Sequence, residues 1–283
     1  MKIHKFNHMI RHKHIIVVFL LLIFPFKVIS QEHIWVLNMH KGEEVVSYEL
    51  PEDADGFKVQ KVEYTSVPSG YENGYEYIDM GLPSGTKWAT CNLGATTPLE
   101  SGNHYAWGEF EVEPSLKYDW ETYRYCICGD QALSEPETLT KYCLDSSYGE
   151  VDGLQYLEPS DDPVSVAMGG RWRMPTVEQY EELGMNCDFI RGVVDGVYGV
   201  AIISRINGAS MFAPAAGIYL SEIYVHPSIT PDVEYIGAYW ATKLDENNSQ
   251  NAYVGFFSET QINMTTIFRC MGLSLRGACI INE

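Results

Sequence analysis

The chain has 283 residues, 46% of them hydrophobic and 13% aromatic, which is enough apolar surface to bury a core and argues against disorder. Its 38 Asp and Glu outnumber 19 Lys and Arg, and the formal charge of −19 repels nucleic acid and anionic lipid. Such an acid excess serves solubility first, and holds calcium only where several carboxylates converge in space.

The first thirty residues differ from the rest. Lys2, Lys5, Arg11 and Lys13 lead into the apolar run 15–26, and no Asp or Glu occurs before Gln31. This pattern predicts a secretory signal peptide over residues 1–30, cleaved between Ser30 and Gln31 with Val28 and Ser30 at the −3 and −1 positions. The apolar run is shorter than the ~20 residues a spanning helix needs, so no transmembrane segment is expected after cleavage. No Cys follows the run directly, which argues against a lipid-modified N-terminus. Cleavage removes five basic residues and no acid, leaving 14 basic against 38 acidic side chains and a formal charge of −24. The expected location is outside the cytoplasm: extracellular, cell-surface or periplasmic.

Beyond the leader, residues 33–39 and 43–50 read as strands joined by a Lys41-Gly42 turn, and 57–64 alternates as a third. Residues 31–66 thus form a small β module, too short for a core of its own. Turn formers between Thr65 and Gly70 mark a linker, placed at 67–74, and the main domain spans 75–283. It opens with strands at 75–82 and 86–91 around Pro83-Ser84-Gly85. Tyr118, Trp120, Tyr123 and Tyr125 follow as an aromatic run that suits either sugar stacking or the buried face of a strand. Asp161 or Asp162 is placed to cap a helix running towards Met168. A second, clearer helix begins at Thr176, which with Gln179 makes a capping box; Val177, Tyr180 and Leu183 share one face and Gly184 supplies the stop. Asn207-Gly208 is a hairpin signal between 200–206 and 209–215. Strands at 237–243 and 252–257 flank a polar stretch, and 271–281 closes the chain. The fold class is therefore α+β, mostly β, with long loops.

Seven cysteines in an exported chain suggest disulfides, and the odd number leaves at least one unpaired within the chain. Cys126-Ile127-Cys128 lacks the second cluster with His that a zinc site needs, so no metal and no cofactor is expected. Arg171, Arg173, Arg269 and Arg276 are read as ion-pair partners for the surplus carboxylates.

Several blocks, in order, resemble the Fibrobacter succinogenes major paralogous domain of secreted and surface Bacteroidetes proteins. They are Tyr77-Ile78-Asp79-Met80-Gly81-Leu82-Pro83-Ser84-Gly85-Thr86-Lys87-Trp88-Ala89-Thr90-Cys91-Asn92-Leu93-Gly94-Ala95, Tyr105-Ala106-Trp107-Gly108-Glu109, Asp161-Asp162, Gly169-Gly170-Arg171-Trp172-Arg173-Met174-Pro175-Thr176, Pro214-Ala215-Ala216-Gly217 and Tyr239-Trp240-Ala241. The resemblance implies a C-type-lectin-like fold whose first and last strands pair, with variable loops on the opposite side and no enzymatic activity. It also implies a Cys91–Cys187 bridge, with Cys270–Cys279 as the next pair. Trp88, Trp107, Trp172 and Trp240 lie within its blocks and are read as core.

The resemblance stops short of calcium-dependent sugar binding. Glu158-Pro159-Ser160 has a hydroxyl where true C-type lectins carry an amide, it precedes the second helix, and no Trp-Asn-Asp occurs. Formylglycine-generating enzymes share a related fold, but Cys270 and Cys279 stand wider apart than that family's cysteine pair. His33, His40, His104 and His226, the histidines outside the leader, fall in no nucleophile motif. The expected function is non-catalytic recognition or adhesion, binding a glycan or protein ligand through loops 218–235 and 244–251. Tyr224, His226, Asp245, Glu246, Asn247, Asn248 and Asn251 are its candidate residues. A structural subunit of a surface appendage or matrix, held by residues 31–66, is the alternative.

Overall fold

The computed structural model describes residues 17–21, 35–41, 44–50, 58–62, 67–128, 138–226, 237–258 and 261–281, the first four segments by backbone alone. An N-terminal unit, residues 1–63, holds β1 (Val17–Leu21), β2 (Trp35–Lys41), β3 (Glu44–Leu50) and β4 (Lys58–Val62). β2 and β3 pair antiparallel from Trp35↔Leu50 to Lys41↔Glu44, matching the expected hairpin; its loop, 42–43, lies outside the described residues. β4 pairs antiparallel with β1, which lies in the apolar run 15–26.

The second unit, residues 64–283, opens with β5 (Gly70–Glu72), β6 (Tyr75–Asp79) and β7 (Thr86–Asn92). β5 falls inside the stretch read as linker and pairs with β6 across Asn73 and Gly74, both at positive φ as a two-residue hairpin turn requires. β8 (His104–Tyr105), β9 (Cys126–Ile127) and β10 (Thr138–Leu139) are short pieces within long irregular segments.

Two helices follow, α1 (Pro163–Met168) and α2 (Val177–Asn186). Asp162 caps α1, its side chain accepting from the backbone N–H groups of Val164 and Ser165, and Pro163 takes the first helical position where its missing N–H costs nothing. Thr176 caps α2 with the full reciprocal box: Gln179 N–H donates to Thr176 Oγ1, and Thr176 N–H donates to Gln179 Oε1. Tyr180 and Leu183 form the buried face. Gly184 does not stop the helix, which continues to Asn186 and ends as Cys187 turns extended.

The remaining strands are β11 (Cys187–Val194), β12 (Val197–Ser204), β13 (Ser210–Pro214), β14 (Ile218–Leu220), β15 (Ile223–Val225), β16 (Gly237–Leu244), β17 (Asn251–Phe257), β18 (Ile262–Phe268), β19 (Gly272–Ser274) and β20 (Arg276–Ile280). The architecture is mostly β. β11, β12 and β13 form one sheet, and β15-β14-β19-β16-β17-β18, with β8 on β19, forms the largest. A four-stranded sheet in the order β20-β7-β6-β5 joins the last strand to the first hairpin. β19 and β20 divide the single closing strand expected from sequence, and a register shift between Arg276 and Ala278 breaks the ladder.

Two clusters form the core. Trp107, Trp172 and Trp240 anchor one; Trp88, Tyr180 and Tyr239 anchor the other. The indoles also act as cross-links: Trp107 Nε1 donates to Ala241 O, Trp240 Nε1 to Tyr105 O and Trp172 Nε1 to Glu72 O, each at 2.8 Å. In a fold with so much irregular backbone, these donors tie loops to strands while the rings exclude water.

Candidate functional site

The β14–β15 hairpin is the best-formed candidate surface. Ile218-Tyr219-Leu220 and Ile223-Tyr224-Val225 pair in register, with Leu220 opposite Ile223 across the two-residue loop Ser221-Glu222. Ser221 takes the positive φ of 51° that this tight loop demands. The loop then docks on a neighbouring segment: Tyr118 and Ser221 exchange backbone hydrogen bonds of 3.1 and 2.8 Å, and Ser221 Oγ donates to Asp119 Oδ2 at 3.1 Å.

Beneath the hairpin lies a group of aromatic rings. Tyr219 and Tyr224 are 4.7 Å apart at 34°, His104 meets Tyr219 edge-on at 4.9 Å, and Tyr118 and Tyr219 are 5.6 Å apart. Tyr224 Oη donates to Ala216 O at 2.7 Å, and His104 Nε2 bonds the same carbonyl at 2.8 Å. That carbonyl can only accept, so His104 carries its proton on Nε2. Burial lowers the His104 pKa, against the opposing pull of the Ala216 bond, and so favours the neutral ring. Two glycines make the packing possible. Gly217, at φ 70°, lets the Tyr224 ring lie where a Cβ would come within 2.7 Å of it, and a Cβ on Gly272 would come within 2.6 Å of the Tyr118 ring.

What the rings support is an outward apolar group. Ile223 is 64% exposed and Leu220 44%, on the hairpin face opposite Tyr219 and Tyr224; Leu116, two residues before the bridge to Ser221, is 42% exposed. Tyr224 and His226 were expected from sequence, and their rings lie 5.8 Å apart. Leu220, Ile223, Tyr219 and His104 were not. The signal was present as two apolar-aromatic triplets flanking Ser221-Glu222, a hairpin pattern inside what was read as loop. Residues 227–235 of that expected loop lie outside the described residues.

The second expected group is anchored elsewhere. Asp245 accepts Asn247 N–H on Oδ1 at 2.9 Å and Thr266 Oγ1 on Oδ2 at 2.8 Å, while Asn248 Oδ1 accepts Gln250 N–H at 2.9 Å. Glu246 pairs with Lys243 at 3.3 Å, and Asn251 N–H donates to Asn248 O at 2.9 Å. The turn is held by Ser249 Oγ, which accepts Leu144 N–H, and by Gln250 O, which accepts Arg269 N–H, each at 2.9 Å. These bonds make Asp245, Asn248 and Asn251 the framework of a β16–β17 turn, with Glu246 and Asn247 on its exposed side.

Other expected sites are corrected by the structure. Cys91, Cys187, Cys270 and Cys279 are free thiols, so neither Cys91–Cys187 nor Cys270–Cys279 forms, and a bridge joins Cys126 to Cys128. Cys91 lies on β7 and Cys187 opens β11, strands of different sheets. Tyr118, Trp120, Tyr123 and Tyr125 are all buried on irregular backbone rather than on a strand, so they are core and no sugar platform. Arg171 does pair, loosely, with Glu72 at 3.8 Å, but Arg173 bonds the carbonyls of Gly170 and Trp172. Arg269 and Arg276 are buried and, among the described residues, pair with no carboxylate. Arg269 instead donates to Tyr142 O and Lys141 O, at 2.7 and 2.9 Å.

Among the described residues no group of three or more His, Cys, Asp or Glu converges to hold a metal ion, and no helix is long and apolar enough to cross a membrane. Comparison with protein-family models, with curated proteins and with solved structures found no match to this chain.

Proposed function

We propose that the second unit is a non-catalytic recognition domain of an exported or surface-held protein. It binds a glycan or protein ligand through the β14–β15 hairpin. The observation that carries this reading is the exposed pair Leu220 and Ile223, on the hairpin face opposite the packed rings of Tyr219 and Tyr224. Exposed apolar side chains on a rigid support bind a ligand's apolar face with little loss of conformational freedom on binding. The rim carries Glu222 and Lys117, which can orient a polar partner. A lectin-like architecture is consistent with this. The pairing of β20 with β7 brings the end of the domain back to its beginning, and the two helices fall between that early hairpin and the later sheets.

The test is a combined glycan and protein array with the secreted chain, run beside Ile223→Ser/Tyr224→Ser and a β16–β17 turn variant, Glu246→Ser/Asn247→Ser. Signals lost with the hairpin variant and kept with the turn variant are expected. Equal signals from all three proteins would remove the hairpin assignment.

A further inference from the structure

Cys126 and Cys128 are bridged across a single residue, Ile127. A disulfide stabilises a fold chiefly by closing a loop in the unfolded chain, and that effect shrinks with loop length, so a bridge this short contributes the least. Nor does it hold backbone that would otherwise be loose. Cys126 N–H donates to Tyr123 O at 3.1 Å, Thr140 N–H donates to Tyr125 O at 3.0 Å, and β9 pairs with β10 at Cys126↔Leu139 and Ile127↔Thr138. Tyr125 is buried, and its Oη donates to Gly108 O at 3.2 Å.

The surroundings of the bridge suit chemistry better than support. Ile127 is 59% exposed, while the two cysteines are half-buried against the first core cluster. Cys128 Sγ lies 2.8 Å from Trp120 O. A disulfide sulfur has no hydrogen to donate, so this carbonyl gains a donor only when the bridge opens and Cys128 becomes a thiol. Trp120 is 1% exposed and packs on Tyr123 and Phe268, which holds the acceptor in place. The reduced form thus gains a hydrogen bond that the oxidised form lacks, and a disulfide whose reduced form is stabilised is an oxidant.

We propose that Cys126 and Cys128 form a thiol–disulfide exchange site that oxidises thiols of other polypeptides. A substrate thiolate attacks Cys126 Sγ, the Cys126–Cys128 bond breaks, and Cys128 leaves as a thiolate that takes a proton and donates to Trp120 O. A second substrate thiolate attacks the substrate sulfur of this mixed disulfide; Cys126 leaves and takes a proton, and the substrate keeps the new disulfide. The substrate gives up two electrons and two protons, and the two cysteines gain them. The exposed Ile127 between the sulfurs offers the flank of a polypeptide an apolar contact that a small thiol does not use.

The test mixes the intact oxidised chain with a peptide carrying two cysteines among apolar residues or, at the same thiol concentration, with reduced glutathione. Alkylation and mass mapping follow the reaction. The expected result is one peptide disulfide per chain, free thiols at Cys126 and Cys128, and an unchanged circular dichroism spectrum. The peptide should react about tenfold faster than glutathione, the gain from covering one apolar side chain. Reduced Cys128→Ser given oxidised glutathione should keep one glutathione on Cys126, where the reduced wild type closes its bridge and releases it. The wild-type measurements decide alone if that variant does not fold. A bridge that stays closed in the folded chain, or opens only as the circular dichroism is lost, overturns the proposal, and equal rates with the two thiols overturn the polypeptide as substrate.

Discussion

Asp162 and Met174 are joined by a hydrogen bond from the Met174 N–H to Asp162 Oδ2, at 2.9 Å, which ties the start of α1 to the strand-like approach to α2. The same oxygen accepts Ser165 Oγ at 2.7 Å, and Oδ1 accepts the N–H groups of Val164 and Ser165 at 2.9 and 3.2 Å. One buried carboxylate therefore serves as helix cap and as clamp. Asp162→Ala is expected to lower unfolding free energy by about 3 kcal/mol, the sum of a lost cap and an orphaned buried N–H. Urea unfolding followed by tryptophan fluorescence measures it, and Asp162→Asn should fall between, since its amide keeps one acceptor.

Arg269 holds Tyr142, 127 positions earlier in the chain. Tyr142 sits at a positive φ of 57°, its N–H donates to Asp152 Oδ2 at 2.6 Å, and its carbonyl accepts from Arg269. Arg269→Met should cost about 3 kcal/mol by taking these donors from the buried Tyr142 carbonyl and the part-buried Lys141 carbonyl. Hydrogen exchange should quicken at residues 139–143. Arg269→Lys is expected to recover less than half, because a compact ammonium cannot reproduce the guanidinium fork.

Thiol chemistry checks the cysteine arrangement. Burial pushes the Cys187 thiol up to about 12 and the Cys279 thiol up to about 11, and Cys143 and Cys270 are also buried. Cys91 is the partly exposed one. Alkylation of the native protein at pH 8 should label Cys91 first, with the other four reacting only in denaturant. Mass mapping should return Cys126 and Cys128 in a single bridged peptide.

Glu109 makes stability depend on pH. Burial raises its carboxyl from the ordinary 4.5 to about 7, with Glu113 and Glu111 adding to the shift while Arg124, whose N–H donates to Oε1 at 2.6 Å, opposes it. A raised folded pKa means that the folded state favours the protonated acid. Its contribution is complete below about pH 4.5 and is lost as pH rises through about 7. Glu109→Gln should melt at the same temperature as wild type at pH 4 and about 4 °C higher at pH 8. Parallel calorimetric scans at the two pH values measure the difference.

Local signals in the chain were readable wherever one residue's chemistry decides a backbone conformation. The Thr176–Gln179 box, a cap at Asp161 or Asp162, the β6–β7 pairing and the strands β16 and β17 follow from hydrogen-bonding side chains and apolar runs, and the structure chose Asp162 and paired β16 with β17. Even some missed elements had such signals. Asp195-Gly196, at φ 49° and 83°, joins β11 to β12 in a tight turn, as an Asp-Gly between apolar runs predicts. Gly208 takes the positive φ of its turn, but Asn207 does not, because Asn207 Nδ2 donates to Asp79 O across 128 residues of sequence.

By itself, then, the sequence determined a mostly β class, the helix caps and four buried tryptophans, all of which depend on composition or on neighbours within a few residues. Only the tertiary structure decided which polar groups work on the framework and which face outward. It turned Asp245 and Asn248 into turn supports, buried the Tyr118–Tyr125 aromatics, left five cysteines unbridged and gave Arg276 an amide partner instead of a carboxylate. Burial and pairing at those positions are set by residues up to 184 positions away, and no local pattern of side chains encodes that proximity.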